Sequence, residues 1–330
     1  MKGGNKNFMI DKTKVGKRII ALRKEHGFSQ SEFAVQLNVT PQAVSKWETG
    51  LALPDIEILL IMSMLFKITI NEILEGKNIL YKIANRPFKM SDIAYFVPEE
   101  ERDYNKEWAK GIAKRGVKSN WEYWKTIKEA NKCIVERAIS HGGLILEIGA
   151  GPGGGYMPLV LFEKFDAEII LSDLSPTVVR EWKKFFESEV NPPNIYYAAL
   201  DNCDLPFLDN SIDVISSGGG FSNTEGDKFK CLTEIYRVSK PGGLYFSGEG
   251  YVTQETLKSF PENIQKILLE KRPDIFEDFY DASVTVGFKT IDNIISGGWS
   301  TKGDKSLIAD LANELGIDIY FTGYLRYCTK

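Results

Sequence analysis

The chain has 330 residues, of which 43% are hydrophobic and 26% are charged, and its net charge is −4. These proportions exclude a wholly disordered chain, a collagen and a bundle of membrane helices, and the length predicts one large domain or two to three ordinary ones. No stretch approaches the ~18 uncharged apolar residues that span a membrane. The four cysteines form no CxxC pair, which argues against a disulfide framework or a metal site. We therefore expect a cytoplasmic protein that uses no metal.

Charge is distributed unevenly along the chain. Residues 1–82 contain 12 Lys and Arg against 8 Asp and Glu, a balance of +4, so the remaining residues carry −8. A basic N-terminal segment on an acidic body predicts a module that binds a polyanion, joined to an enzyme-like domain. A solvated charged surface would have the same composition.

Hydrophobic patterning divides the chain into three regions. Residues 1–76 are dense in helical patterns with short turns, and residues 77–140 form a linker followed by a helical segment rich in aromatic residues. Residues 141–330 alternate short apolar strands with longer amphipathic segments. This alternation predicts an α/β domain with a mostly parallel sheet that is covered on both faces.

The first region contains clear helix boundaries. A helix is predicted from Lys14 to Lys24, and Ser29 with Glu32 forms a capping box that opens a second helix. Asn38 stands where a tight turn needs the left-handed conformation, which asparagine tolerates. Thr40 is the predicted N-cap of a third helix. Two short helices joined by such a turn are typical of a helix-turn-helix.

The segment from Gln30 to Thr49 resembles the phage-repressor (xenobiotic-response-element) family, and the resemblance extends over residues 14–75. It includes small Ala34, where a longer side chain would push the two helices apart. In that family the second helix of the pair enters the DNA major groove. The resemblance thus implies a DNA-binding surface made of Gln30, Thr40, Gln42, Ser45 and Lys46, with Gln42 suited to adenine and with Gln30 and Lys46 suited to phosphate. A helical domain used for dimerisation or protein contact is the alternative.

Five strands are predicted in the third region: Leu144–Ile148, Glu168–Ser172, Ile195–Ala199, Val214–Ser217 and Gly243–Ser247. The tail after Pro261 is expected to complete the sheet with an antiparallel edge. The first strand runs into a turn with five glycines, which permit tight turning and close approach of the backbone to a ligand. Such a turn alone also fits a dehydrogenase.

Three further features argue against a dehydrogenase. Glu147 is acidic at the end of the first strand, Asp173 closes the second strand, and a Lys-Pro-Gly-Gly turn at 240–243 precedes the fifth strand. Together with the glycine turn, they resemble the class I S-adenosylmethionine-dependent methyltransferases over residues 142–250. The resemblance implies a Rossmann-like sheet of seven mostly parallel strands and S-adenosyl-L-methionine as the cofactor.

The resemblance also implies which residues hold this methyl donor. Glu147, Gly149, Gly151 and Gly153 would line its methionine and ribose, and Asp173 would bind the ribose hydroxyls. Leu174 would pack on the adenine, Asp201 and Asn202 would reach the adenine amino group, and Ser217 and Gly218 would lie beside the sulfonium. Glu147 and Asp201 are also suited to capping a loop or a turn.

No catalytic base is identified from the sequence. The two histidines are His26, in the DNA-binding region, and His141, before the first strand and thus at the wrong end of the sheet. Glu249 and Tyr251, just past the fifth strand, are candidates for orienting a methyl acceptor. The aromatic segment with Trp121 and Trp124 forms either a lid or a helical core stripe.

These inferences predict a homodimeric DNA-binding regulator joined to a methyltransferase that acts on a small molecule. Two alternatives remain. One is a regulator that binds S-adenosylmethionine or S-adenosylhomocysteine as a signal, without turnover. The other is a nucleic-acid methyltransferase, against which the acidic body argues, because a groove that follows phosphates is basic.

Overall fold

The structure is a computed structural model that describes residues 10–75, 78–100, 106, 116–224, 226–276, 279–302 and 307–330. The chain divides into two compact units, Met1–Lys82 and Ile83–Lys330. Part of the expected linker and lid segment, residues 101–105 and 107–115, lies outside the described residues. The described remainder of that segment after Lys82 belongs to the second unit.

Short helices with side-chain caps build the N-terminal unit. The Ser29 hydroxyl accepts the Glu32 N–H at 3.2 Å, and the Glu32 carboxylate accepts the Ser29 N–H at 2.8 Å, so the predicted capping box is confirmed. Asn38 has the predicted left-handed conformation, with φ of +53°. The Thr40 hydroxyl accepts the Ala43 N–H at 3.2 Å. The helices are α1 (Lys12–Glu25), α2 (Gln30–Gln36), α3 (Pro41–Glu48), α4 (Ile56–Phe66) and α5 (Ile70–Glu75), and α6 (Leu80–Ile83) follows at the boundary.

A close contact between the backbones of α1 and α3 determines how these two helices pack in the N-terminal unit. A Cβ added at Gly16 would lie 2.4 Å from the Trp47 carbonyl oxygen and 2.7 Å from that of Glu48, so only glycine permits this approach. Farther along α1, the Arg23 Nε donates to the Glu48 Oε1 at 2.5 Å, and both side chains are buried. Removal of either side chain would leave the other charge buried and uncompensated, so both partners are needed for the packing of α1 against α3.

The second unit is built on one sheet with helices on its faces. Its strands are β1 (Lys89–Met90), β2 (Ala94–Tyr95), β3 (Leu144–Glu147), β4 (Glu168–Asp173), β5 (Ile195–Ala199), β6 (Ile212–Gly218), β7 (Ser239–Tyr251), β8 (Lys289–Ser300) and β9 (Tyr320–Thr329). Its α-helices are α7 (Val117–Asn131), α8 (Cys133–His141), α9 (Met157–Glu163), α10 (Pro176–Phe185), α11 (Lys228–Val238), α12 (Gln254–Lys258), α13 (Glu262–Lys271), α14 (Tyr280–Thr285) and α15 (Leu307–Leu315). All five predicted strands are present.

The strand order is β1-β2-β5-β4-β3-β6-β7-β9-β8. The pairs from β2 through β7 are parallel, and β9 runs antiparallel between β7 and β8, which confirms the predicted antiparallel edge. The chain order reverses between β3 and β6. At such a switch point the loops diverge at the carboxyl ends of the strands and leave a crevice for a ligand.

The sheet has nine strands in the described residues, whereas the sequence predicted seven. The two additional strands come from the expected linker. Ala94 pairs in parallel with Ala198, and the hairpin partner β1 follows on the outside. Two-residue strands carry no readable alternation of side chains, so patterning could not reveal them, but they cover the edge of β5 that would otherwise be open.

The core of the second unit supports the glycine turn directly. Trp182, on α10, is fully buried, and its Nε1 donates to the Gly151 carbonyl at 2.9 Å. A Cβ at Gly154 would lie 2.6 Å from the same ring. The turn is thus packed against a rigid aromatic side chain, which holds its backbone in place.

The Gly16 contact generates a stability prediction. Glycine-to-alanine changes inside helices ordinarily stabilise by up to ~1 kcal/mol, but Gly16→Ala would place its methyl group against the α3 backbone. Overpacking of this kind costs ~1–3 kcal/mol. We expect faster hydrogen–deuterium exchange across α1 and α3 in Gly16→Ala. Lys17→Ala, at the exposed neighbouring position, is the control and should leave exchange unchanged; slower exchange in Gly16→Ala would contradict the packing.

Candidate functional site

A cleft opens at the carboxyl ends of β3, β4 and β6, at the switch point of the sheet. Eight of the ten predicted cofactor-binding residues line it: Gly149, Gly151, Gly153, Asp173, Leu174, Asp201, Asn202 and Gly218. The other two, Glu147 and Ser217, are fully buried behind its wall. The topology therefore brings together residues that are up to 71 positions apart in the chain.

Two glycine loops form the wall of the cleft. Gly149, after β3, has φ of +59°, and a Cβ there would lie 2.7 Å from the Gly220 Cα. A Cβ at Gly220 would in turn lie 2.1 Å from the Ile148 carbonyl oxygen. At Gly153 an added Cβ would meet no atom within 4 Å. Glycine is thus needed at the first two positions for loop-to-loop contact, while Gly153 leaves open space at the cleft.

Asp173 lies at the end of β4 and joins the loops. Its Oδ2 accepts the Gly151 N–H at 2.8 Å, and its Oδ1 accepts the Ser175 N–H at 2.8 Å. An ionised carboxylate offers about four lone-pair sites. Asp173 can therefore hold the glycine turn and present acceptors to hydroxyl groups of a ligand in the cleft.

Asn202 contributes a buried acceptor to the cleft. Its Nδ2 donates to the Thr224 hydroxyl at 3.2 Å, and its Oδ1 accepts no hydrogen bond from the described residues. A buried polar atom without a partner costs ~1–3 kcal/mol, so a ligand N–H at this position would be stabilising. The neighbouring Asp201 accepts the Cys203 N–H at 2.9 Å, which is the turn-capping role that the sequence left open.

Glu147 lies directly behind the glycines of the cleft. Its carboxylate accepts the Gly218 N–H at 3.2 Å and the hydroxyl of Ser216, and a Cβ at Gly155 would overlap its Oε1. Complete burial raises the pKa of Glu147 to about 7, because desolvation disfavours the charged form more than these donors favour it. Glu147 therefore braces the glycine loop from behind the wall of the cleft.

Glu249, a candidate for orienting an acceptor, points inward instead. Its Oε1 accepts the Ser217 hydroxyl at 3.1 Å, and its Oε2 accepts the Ser222 N–H at 3.1 Å. Burial raises the pKa of Glu249 to about 7. Its carboxylate fixes the loop after β6. The other candidate, Tyr251, is half-buried, and the centroid of its ring lies 5.7 Å from that of the Tyr324 ring.

Helix α7 supplies one cleft residue that was absent from the predicted set, Trp124, and a second side chain that holds the glycine turn. The Trp124 Nε1 donates to the Gly153 carbonyl at 3.0 Å, and the Asn120 side chain donates to the Pro152 carbonyl at 2.8 Å. Trp121 instead packs in the core against Phe162. Trp124 therefore lines the cleft, and Trp121 belongs to the core. In the sequence, the i, i+4 spacing of Asn120 and Trp124 places these two polar side chains on one face of a helix, which was the signal that could have identified them.

The loop after β6 also lines the cleft, through Asn223 and Thr224. Its run of small polar residues after a glycine cluster indicates a ligand-facing loop, but no motif in the sequence identified these two side chains. In the part of the chain that the structure describes, no cluster of three or more acidic, His or Cys side chains could hold a metal ion. No described helix is long and apolar enough to cross a membrane.

The predicted DNA-contacting residues lie on or beside α3. Gln42 and Lys46 are exposed, Ser45 is half-buried, and Thr40 is exposed while it caps the helix. Gln30 is exposed at the start of α2, and its Nε2 donates to the Glu48 Oε2 at 2.7 Å. The buried Arg23–Glu48 pair therefore holds the Gln30 amide beside α3.

Comparisons with known proteins agree with this arrangement. A helix-turn-helix family model matches residues 19–73, and a methyltransferase-domain family model matches residues 146–247. The C-methyltransferase UbiE of ubiquinone/menaquinone biosynthesis from Marinomonas sp. is 26% identical over 110 residues, which cover 33% of this chain and 43% of that protein. The demethylmenaquinone methyltransferase of Streptomyces avermitilis is 33% identical over 99 residues, which cover 30% and 38%. The chain spans less than half the length of these curated relatives.

Solved structures similar to the chain include a putative methyltransferase from Bacillus halodurans, with a TM-score of 0.48 and 12% identity over 61% of this chain and 99% of that one. Phosphoethanolamine N-methyltransferase 2 of Haemonchus contortus, solved with S-adenosyl-L-methionine, has a TM-score of 0.48 and 16% identity over 71% and 61%. By its two family models, the chain combines a helix-turn-helix domain at residues 19–73 with a methyltransferase domain at residues 146–247.

Proposed function

We propose that the protein transfers a methyl group from S-adenosyl-L-methionine to a small molecule and binds DNA through α3. The observation that carries the first half is the cleft at the switch point, which Asp173 and Asn202 line together with a glycine turn. The Asn202 Oδ1 has no hydrogen-bond partner among the residues that the structure describes. The second half rests on the exposed side chains of α3. The expected compartment is the one that holds DNA, the cytoplasm.

The residues of the cleft fit this donor. Asp173 would accept hydrogen bonds from the ribose hydroxyls, and the Asn202 Oδ1 would accept one from the adenine amino group, with Leu174 against the ring. Gly151 and Gly153 would leave room for the methionine portion. The donor supplies a methyl group that is already activated on a sulfonium, so the protein need only hold an unprotonated nucleophile in line with it.

A small molecule is the proposed acceptor because the second unit is acidic. The curated relatives are named for quinone biosynthesis, but they match only about 100 residues, or about a third of this chain, so they support a methyl donor rather than a particular acceptor. Transfer of a labelled methyl group to DNA or RNA would favour a nucleic-acid substrate instead.

A sensor without turnover is the second candidate, and the inward orientation of Glu249 favours it. Glu249 is buried, and its carboxylate accepts hydrogen bonds from Ser217, near the end of β6, and from Ser222, in the loop after it. Its burial keeps this side chain from serving as a base for an acceptor in the cleft. A labelled-methyl assay across pools of small metabolites separates the candidates: product formation supports the enzyme, and donor binding without product supports the sensor.

The DNA-binding half is proposed to act as a homodimer. Helix-turn-helix proteins read half-sites about one helical turn apart, so two copies of α3 are required for a paired operator. In this arrangement Gln42 and Ser45 read base edges, and Gln30 and Lys46 contact the phosphate backbone.

Donor binding tests the role of Asp173. Asp173→Ala removes the acceptors for the ribose and one support of the glycine turn, so we expect at least tenfold weaker binding of labelled S-adenosylmethionine, about 1.4 kcal/mol or more. Equilibrium dialysis measures this. Asp166→Ala, at an exposed position before β4, is the control and should bind as the wild type does. Equal affinity in both variants would remove Asp173 from the site.

The buried carboxyls predict a pH dependence of stability. A pKa of about 7 in the folded state for Glu147 and Glu249 lies above the ordinary value of 4.5, so their stabilising contribution is present below about pH 4.5 and is lost as pH rises towards 7. Glu147→Gln removes this loss. The unfolding free energy of Glu147→Gln minus that of the wild type should therefore increase by on the order of 3 kcal/mol between pH 5 and pH 8.

Urea unfolding followed by tryptophan fluorescence at several pH values gives this difference. Glu163→Gln, on the exposed end of α9, is the matched control and should track the wild type at every pH. A Glu147→Gln difference that stays constant with pH would contradict the buried neutral carboxyl.

Operator recognition tests α3. Gln42→Ala should reduce the discrimination between a selected operator and unrelated DNA by ~1–3 kcal/mol, the contribution of a bidentate base contact. Ser45→Ala should reduce it by less, because one hydroxyl group does not form a bidentate amide pair. Competition binding measures this, with Gln36→Ala, an exposed amide on α2, as the control. Unchanged discrimination in the α3 variants would place the recognition surface elsewhere.

A further inference from the structure

Two buried cysteines meet at the edge of the cleft. Cys203 lies in the loop after β5, and Cys231 lies in the first turn of α11. Their thiols are hydrogen-bonded to each other. Both residues also bind one backbone oxygen, because the Cys203 thiol donates to the Asp227 carbonyl at 3.5 Å and the Cys231 N–H donates to it at 3.0 Å. This shared acceptor holds the two cysteines side by side although they are distant in the chain.

The pair is connected to two residues that line the cleft. Asn202 directly precedes Cys203, and its Nδ2 donates to the Thr224 hydroxyl at 3.2 Å. The same hydroxyl is hydrogen-bonded with the Cys231 thiol. The four side chains therefore form a closed ring, of which Asn202 and Thr224 line the cleft. A chemical change at the two sulfurs acts on both cleft residues through direct contacts.

The two thiols are not equivalent. Cys203 is 7% exposed and Cys231 is fully buried, so a small oxidant reaches Cys203 first. The hydrogen bond from Cys231 lowers the pKa of the Cys203 thiol because it stabilises the thiolate, whereas that hydrogen bond and burial raise the pKa of Cys231. The thiolate is the nucleophilic form of cysteine. Cys203 is therefore suited to react with an oxidant, and Cys231 is suited to resolve the product.

We propose that Cys203 and Cys231 form a reversible disulfide when the protein meets a hydroperoxide, and that this bond weakens ligand binding in the cleft. The Cys203 thiolate attacks one oxygen of hydrogen peroxide, the O–O bond breaks, and a sulfenic acid and one water form. The Cys231 thiol then attacks the Cys203 sulfur, and the sulfenic oxygen leaves as a second water. The two thiols lose two electrons and two hydrogens in total, and the peroxide gains them.

The disulfide changes the geometry of the ring. An S–S bond is ~2.05 Å long, which is shorter than the contact between two hydrogen-bonded sulfurs, so it draws the loop after β5 towards α11. It also removes the thiol hydrogen that Cys231 shares with its neighbours. Asn202 moves with Cys203, and in the proposed function the Asn202 Oδ1 accepts the adenine amino group. The effect on the donor thus rests on the proposed function, whereas the disulfide itself does not.

The bond also constrains the wall of the cleft. The segment between the two cysteines contains β6 and the loop after it, which carries Gly218, Asn223 and Thr224 along the cleft. A disulfide would close this segment into a covalent loop. In reducing compartments such bonds are usually transient and sense oxidants, which suits a site that recovers when a thiol reductant returns.

Peptide mapping tests the disulfide directly. Full-length protein with the exposed Cys133 changed by Cys133→Ser is treated with hydrogen peroxide, alkylated with iodoacetamide under denaturing conditions and analysed by mass spectrometry. We expect one linked pair of peptides that contains Cys203 and Cys231, which dithiothreitol separates. Cys328, which is buried on β9, is the internal control and should remain a thiol. Equal oxidation of Cys328, or no linkage of Cys203 to Cys231, would overturn the proposal.

Donor binding gives the second readout. Equilibrium dialysis with labelled S-adenosylmethionine should show affinity that is roughly 5- to 150-fold lower in the peroxide-treated protein and that dithiothreitol restores. Cys203→Ser and Cys203→Ala both lack the attacking thiol, so the affinity of either variant should not respond to peroxide. Unchanged affinity in protein that carries the mapped disulfide would overturn the link to the cleft.

Hydrogen–deuterium exchange separates this proposal from the proposed function. If the reduced wild type binds no S-adenosylmethionine, the proposed donor site fails. The mapped disulfide should still slow exchange over residues 201–204 and 219–224, because it restricts the opening of both loops. Exchange that is equal in the reduced and disulfide-linked forms would overturn the action of the pair on the cleft.

Discussion

The contact between two glycine loops is the constraint on which the donor cleft depends. Parallel pairing of β3 with β6 places the turn after β3 against the loop after β6, and Gly149 and Gly220 approach so closely that neither can carry a side chain. Two buried carboxyls hold this contact from behind: Glu147 binds the Gly218 N–H, and Glu249 binds the Ser222 N–H. The cleft wall is thus made of backbone, which leaves space and hydrogen-bonding groups for a ligand.

The residues that support the loops differ from the residues that line the cleft. Glu147 and Glu249 are buried and have pKa values raised to about 7, so they exchange protons near neutrality while they brace the loops. Asp173 and Asn202 line the cleft itself. Glu147 and Glu249 therefore act on the loops through backbone N–H groups, whereas Asp173 and Asn202 face the space that a ligand would occupy.

Much of the architecture followed from the sequence because strong local signals determine it. The capping box at Ser29 and the left-handed Asn38 are local, and both are found where expected. The two-residue strand at Ala94–Tyr95 could not be predicted, since its pairing depends on the distant Ala198. Likewise, the sequence places Glu249 at the correct end of the sheet, but only the loop after β6 determines that its carboxylate turns inward.

The two units divide their chemistry by charge as well as by fold. The basic first 82 residues carry α3 with exposed polar side chains, and the acidic remainder carries the donor cleft. Such a division suits one module that contacts a polyanion and another that handles small ligands. Both the enzyme and the sensor require a methyl donor bound in this cleft.

Calorimetric titration of the full-length protein with S-adenosylmethionine, and separately with S-adenosylhomocysteine, tests this claim most directly. We expect saturable binding of at least one of them at one site per chain, with micromolar affinity, ~8 kcal/mol of binding free energy. A clear preference for S-adenosylhomocysteine would favour the sensor. Absence of binding heat in both titrations would contradict the assignment of the cleft as a donor site.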